Sequence, residues 1–236
     1  MAKQSKSEET AALQRAWDRF YSGKFEDAIA LFHGILDSGK NMSALYGRAC
    51  ASFRASDYEA ALEDLSALIE ADGKNPDAFH TRALVHGANE NYSLALKDLK
   101  AVTKIEPGNG EAWCDMGGLY LILEKYAEAK ECFEKSADID KKCACAWFGK
   151  GVVALFMKEF NKANESLNVA LDLDKKHAVA LMARAEAAFG RGQKNEAMKD
   201  LEKALSIDEA FFQTMREYMK EGKANMDGEM DDEAIF

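Results

Sequence analysis

The side chains that could act as nucleophile, base or metal ligand in this 236-residue sequence are few, and they stand apart from one another. Its four histidines are His33, His80, His86 and His177, and none belongs to a recognisable catalytic motif. Among five cysteines there is one close pair, Cys143-Ala-Cys145. A single intervening residue, with no second pair at finger-like spacing, is a weak signal for zinc, and packing thiols are the competing reading. An odd number of cysteines without an export signal points to free thiols rather than a disulfide framework. No phosphate-cradling GxxxxGK[ST] or GxGxxG occurs, and Gly117-Gly118 is better explained by close helix packing. The expectation is a chain that is not an enzyme and carries no cofactor and no metal, with thiol or metal binding through Cys114, Cys143 and Cys145 as an alternative.

What must position these residues is a helix-rich, soluble chain. Two prolines, 47% apolar and 31% charged residues describe a sequence able to bury a sizeable core with a lean toward helix. The formal charge of -10, with 41 acids against 31 bases, argues against nucleic acid and against anionic membrane surfaces. Met1 to Thr10 is polar and lacks the apolar stretch of a secretory signal, so export is not expected. The most apolar segment, Cys143 to Met157, is interrupted by Lys150 and is shorter than the roughly 18 to 20 apolar residues of a spanning helix. The chain therefore reads as cytoplasmic.

Internal periodicity organises the rest. Alanines opening an apolar-rich helical run recur at Ala28, Ala61, Ala95, Ala129, Ala163 and Ala197, at spacings of 33, 34, 34, 34 and 34. Twelve places upstream of each lies a small residue: Ala16, Ala49, Ala83, Gly117, Gly151 and Ala185. An aromatic precedes five of the six alanines by three places, as Phe25, Tyr58, Tyr92, Tyr126 and Phe160; Lys194 breaks the series. Each repeat carries two apolar-periodic stretches separated by a short polar or Gly break, hence two amphipathic helices. One such hairpin cannot bury its apolar face alone, whereas stacked neighbours bury it jointly. Pro76 and Pro107 sit at repeat boundaries, where neither interrupts a helix.

These residues resemble the tetratricopeptide repeat family, most plainly in the fourth repeat, where Trp113, Met116, Gly117, Tyr120, Tyr126, Ala129 and Phe133 fall on its signature places. The resemblance covers 9-211 in six repeats, 9-41, 42-75, 76-109, 110-143, 144-177 and 178-211. It implies an all-α fold, a right-handed α-solenoid of stacked antiparallel helix pairs. Residues 1-8 read as a flexible arm. After the sixth repeat, Phe211, Phe212, Met215 and Met219 suggest an amphipathic helix over 210-222, either a cap on the last open interface or an exposed docking helix. Residues 223-236 read as a disordered acidic tail with Asp227, Glu229, Asp231, Asp232 and Glu233.

Comparing the repeats with one another adds a further expectation. A basic residue in the first helix (Arg48, Arg82, Arg184) recurs with an acid sixteen places later in the second (Asp64, Asp98, Asp200). In the fourth repeat both places are uncharged together, as Met116 and Cys132. The pattern predicts an ion pair across the hairpin of repeats two, three and six, against the alternative of two separately solvated charges.

The resemblance implies that the first helices line a concave groove and that a protein or peptide partner binds there. Carried over repeat by repeat, the groove places are Leu13, Trp17 and Tyr21; Tyr46, Cys50 and Arg54; Asp77, His80 and Leu84; Cys114 and Asp115; Phe148 and Val152; Met182 and Glu186. Some family members hold acidic chaperone tails in a carboxylate clamp of Lys, Asn and Arg. The matching places here are Leu13 with Trp17, Gly47, and Asp77 with Thr81, and none fits. The expected partner segment is apolar with neutral or basic flanks, and the expected function a non-catalytic interaction scaffold or adaptor. Self-association into a homo-oligomer is a further expectation.

Overall fold

The computed structural model describes residues 2–207 and Gln213. The chain divides into two compact units, Met1–Asp140 and Lys141–Phe236. In the first, four hairpins follow one another: α1 (Ala2–Tyr21) with α2 (Phe25–Asp37), α3 (Met42–Arg54) with α4 (Tyr58–Ala71), α5 (Pro76–Ala88) with α6 (Tyr92–Ile105), and α7 (Gly110–Ile122) with α8 (Tyr126–Ile139). The second holds two hairpins, α9 (Ala144–Phe156) with α10 (Phe160–Leu173) and α11 (Ala178–Gly190) with α12 (Lys194–Ile207). No strand occurs among the described residues. Within each unit the second helix of a hairpin also packs on the first helix of the next, which makes the fold an all-α repeat solenoid. Residues 2–8, read from the sequence as an arm, belong to α1. The expected helix over 210-222 and the tail over 223-236 lie outside the described residues.

The helix boundaries repeat for local reasons. Asn41, Asn75 and Asn109 stand 34 residues apart, and each side-chain Oδ1 accepts from a backbone N–H of the first turn it caps: Ala44, Ala78 and Ala112, at 2.8, 3.0 and 3.0 Å. Pro76 follows its cap at the first helical position, where no N–H is needed. In unit 2 the same place is held by Cys143, which makes no capping bond, and by His177, whose Nδ1 accepts from Ala180 N at 3.1 Å.

Each first helix ends in a left-handed residue, and the backbone N–H one place beyond it closes back five residues: Asp57 to Ser52, Asn91 to His86, Lys125 to Tyr120, Glu159 to Ala154. Gly23 and Gly192 fill this place in the outermost hairpins, but Ser56, Glu90, Glu124 and Lys158 hold φ between 57° and 64° in the others. A side chain in that region costs about 1–2 kcal/mol, partly offset by the freedom glycine loses on folding. Glu124→Gly is therefore expected to raise stability by about 0.5–1 kcal/mol, measured as a higher urea midpoint at unchanged slope.

The core follows the repeat. All six alanines of the series Ala28 to Ala197 are fully buried. The glycines upstream allow the two helices of a hairpin to touch: a Cβ at Gly117 would stand 2.8 Å from the Phe133 ring, and one at Gly151 2.5 Å from Leu167. Gly47 faces the ring of Phe32 in the preceding hairpin in the same way.

The ion pairs expected from the charge pattern are present and bidentate. Arg48 meets Asp64 at 2.8 and 2.7 Å, Arg82 meets Asp98 at 2.7 and 2.9 Å, and Arg184 meets Asp200 at 2.7 and 2.7 Å. Each arginine does more than the pattern implied, because its Nη1 turns to the preceding hairpin: toward His33 Nδ1, Ser66 Oγ and Asn168 Oδ1 respectively. One guanidinium thus joins three helices. In the fourth repeat Met116 and Cys132 are buried side chains on the floor of a cleft of about 370 Å³ that Lys100 and Glu131 help to wall.

Candidate protein-interaction face

In unit 1 the first helices α1, α3, α5 and α7 carry Leu13, Trp17, Tyr21, Tyr46, Cys50, Arg54, Asp77, His80, Leu84, Cys114 and Asp115. Tyr21 is 78% exposed and Leu84 42%, and Arg54 and Asp77 are exposed as well. Trp17 is half-buried, edge-on to the fully buried Phe32 at 5.3 Å and stacked with Tyr21 at 5.8 Å. Its ring anchors the exposed tyrosine to the core. Cys114, expected on the open face, is buried. It stands one repeat length after His80 and two after Tyr46, in a column of equivalent places along the first helices.

That column contains contacts the sequence reading missed. Tyr46 Oη of α3 lies 3.0 Å from Thr81 Oγ1 of α5, and His80 Nε2 of α5 lies 2.6 Å from Asp115 Oδ2 of α7. Both rungs join residues 35 apart, one more than the repeat length. The available signal was a pair of hydrogen-bonding residues at that offset. Burial pushes the Tyr46 phenol up to about 12 and the Cys50 thiol up to about 11, so both stay neutral across the physiological range. His80 is shifted upward by its hydrogen bond to Asp115, an effect that outweighs the opposing one of burial.

In unit 2, α9 carries Phe148 and Val152 and α11 carries Met182 and Glu186. Phe148 and Met182 are half-buried against the core built by Leu155, Leu167 and Leu181, and the Phe148 ring lies 4.9 Å from the ring of His177. Glu186 is exposed. Aromatic and aliphatic side chains of this kind present apolar area while their inner edges remain packed.

The histidines and the buried thiols make local contacts. His33 meets Arg48, His80 meets Asp115, and His177 caps α11. Burial lowers the pKa of His86. Cys132 is buried and its thiol is pushed up to about 11. Among the described residues no group of three or more His, Cys, Asp or Glu is arranged to hold a metal ion, and no helix is long and apolar enough to cross a membrane.

Stacked helix hairpins whose first helices present a partly apolar face define a repeat solenoid of the interaction-scaffold class. The chain belongs to the tetratricopeptide repeat family, whose sequence profiles match residues 13–76, 110–143 and 178–211, more than half of its length. The family is generally non-enzymatic and serves protein interaction. No curated protein matches the sequence significantly. Solved structures with the same fold include a tetratricopeptide repeat protein from Parabacteroides merdae, 19% identical, with a TM-score of 0.73 over 94% of this chain and 93% of that one. The C-terminal part of a TPR repeat-containing protein from Cytophaga hutchinsonii is 17% identical, with a TM-score of 0.69 over 83% of this chain and 79% of that one. MamA from Desulfovibrio magneticus, also 17% identical, gives 0.66 over 73% and 97%.

Proposed function

We propose that the chain is a non-catalytic adaptor that holds a segment of a partner protein against its first helices, the segment being apolar with neutral or basic flanks. The observation that carries this reading is the anchored apolar surface of unit 1. Tyr21 at 78% and Leu84 at 42% exposure occupy first-helix places, and the half-buried Trp17 and Tyr46 on α1 and α3 are fixed by Phe32 and Thr81. Preorganised aromatic and aliphatic side chains of this sort supply binding energy at low entropic cost. The exposed acid Asp77 beside them favours a basic flank and disfavours a carboxylate tail.

Tyr21→Ala combined with Leu84→Ala removes exposed area while Trp17, Tyr46 and the residues that hold them, Phe32 and Thr81, stay in place. In affinity purification from the native host, a partner retained by the unaltered chain is expected to be lost at least about tenfold by the double variant, with an unchanged circular dichroism spectrum. Retention of the same partners in undiminished amount by the folded variant would refute the placement of the site.

A further inference from the structure

We propose that the His80–Asp115 rung is a pH-operated clasp between the third and fourth repeats, and that it sets the pH dependence of binding at the first-helix face of unit 1. The part that concerns binding rests on the function proposed above; the clasp itself does not.

The geometry is that of one helix holding both of its neighbours by consecutive residues. Thr81 of α5 takes Tyr46 from α3, and His80 of α5 takes Asp115 from α7. The His80 side chain is 15% exposed and that of Asp115 33%, so the pair is withdrawn from water but open to protons. Its charged surroundings are few. Asp77 lies on the same helix, and Glu111 joins Asp115 from α7. From α3 come Tyr46 and Cys50, both neutral because burial raises their pKa values. On another side of α5, Arg82 is engaged with Asp98 of α6 and Ser66 of α4. One rung therefore holds an imidazole whose pKa is raised from its ordinary value, while the groups of the other stay neutral.

The sign follows from the direction of the shift. The His80 pKa is raised, first by the hydrogen bond to Asp115. Its contribution is then fully present below the unfolded-state value of about 6.5 and is lost as pH rises through the higher folded value. The clasp is tight in mildly acid solution and slackens on the alkaline side. Over the same window His80 loses its positive charge, between α5 and α7.

The test uses the full chain without a partner. Histidine NMR titration should find His80 above its ordinary pKa, and Asp115→Asn should bring it back down. Unfolding constants of His80→Gln relative to the native chain should fall several-fold between about pH 6 and pH 9, while the ratio for Tyr46→Phe, which removes the neutral rung, stays constant. A His80 that titrates at its ordinary value, or a His80→Gln ratio as flat as that of Tyr46→Phe, would overturn the clasp. Should His80→Gln not fold, the titration of the native chain and of Asp115→Asn decides alone. Because no partner enters, failure here is distinct from failure of the Tyr21/Leu84 experiment.

Discussion

Asp98→Ala is expected to lower the stability of the chain by about 3 kcal/mol, several times the effect of removing an acid from an exposed pair. The Asp98 side chain is 4% exposed and accepts two hydrogen bonds from Arg82, which is itself only 20% exposed. Removing the carboxylate strands a guanidinium that keeps one bond to Ser66 and the face of Phe79 but loses its counter-charge. The fourth repeat supplies the control, because it fills the same two places with Met116 and Cys132, both buried. Arg82→Met together with Asp98→Cys is expected to return to within about 1 kcal/mol of the native chain, since an apolar pair replaces a buried ion pair at little net cost. Urea titrations of the two single variants and the double variant give the coupling directly. Additive single effects, with no recovery in the double variant, would show that the two charges act independently.

Phe32→Ala is expected to cost about 4 kcal/mol, the range for a buried aromatic whose site cannot collapse. The ring is fully buried beneath Trp17 and fills the space that Gly47 leaves open. Gly47→Ala alone is expected to be destabilising too, because a methyl group there collides with the same ring. Combined with Phe32→Leu, its cost should be smaller than the sum of the two, since the shorter side chain makes room. Loss of Phe32 also releases Trp17, and with it the stacked Tyr21, from a fixed position. Partner affinity should consequently fall in Phe32→Ala even at temperatures where the variant remains folded, which calorimetric titration with the captured partner measures.

The repeat was legible in the sequence because its physical requirements recur at fixed places. Each hairpin needs a small residue where its helices cross, and the alanines from Ala28 to Ala197 are fully buried for that reason. The Arg–Asp pairs were legible because both charges recur sixteen places apart in repeats two, three and six and are both absent at Met116 and Cys132. Less could be read of the candidate interaction face. A place in the repeat identifies equivalent positions without stating how deeply each side chain is covered, so Cys114 was expected in the open and is buried.

The sequence alone determined the all-α repeat, the helix pairs and the contacts inside a hairpin, all of which depend on local spacing. Only the tertiary structure decided what passes between hairpins. The third bond of each arginine, the rungs from Tyr46 to Thr81 and from His80 to Asp115, and the burial of Cys114 depend on how one hairpin lies against the next. A 34-residue period says which residues correspond. The offset at which they touch is set by the packing of helix on helix, through which residue 80 meets 115 rather than its own equivalent at 114.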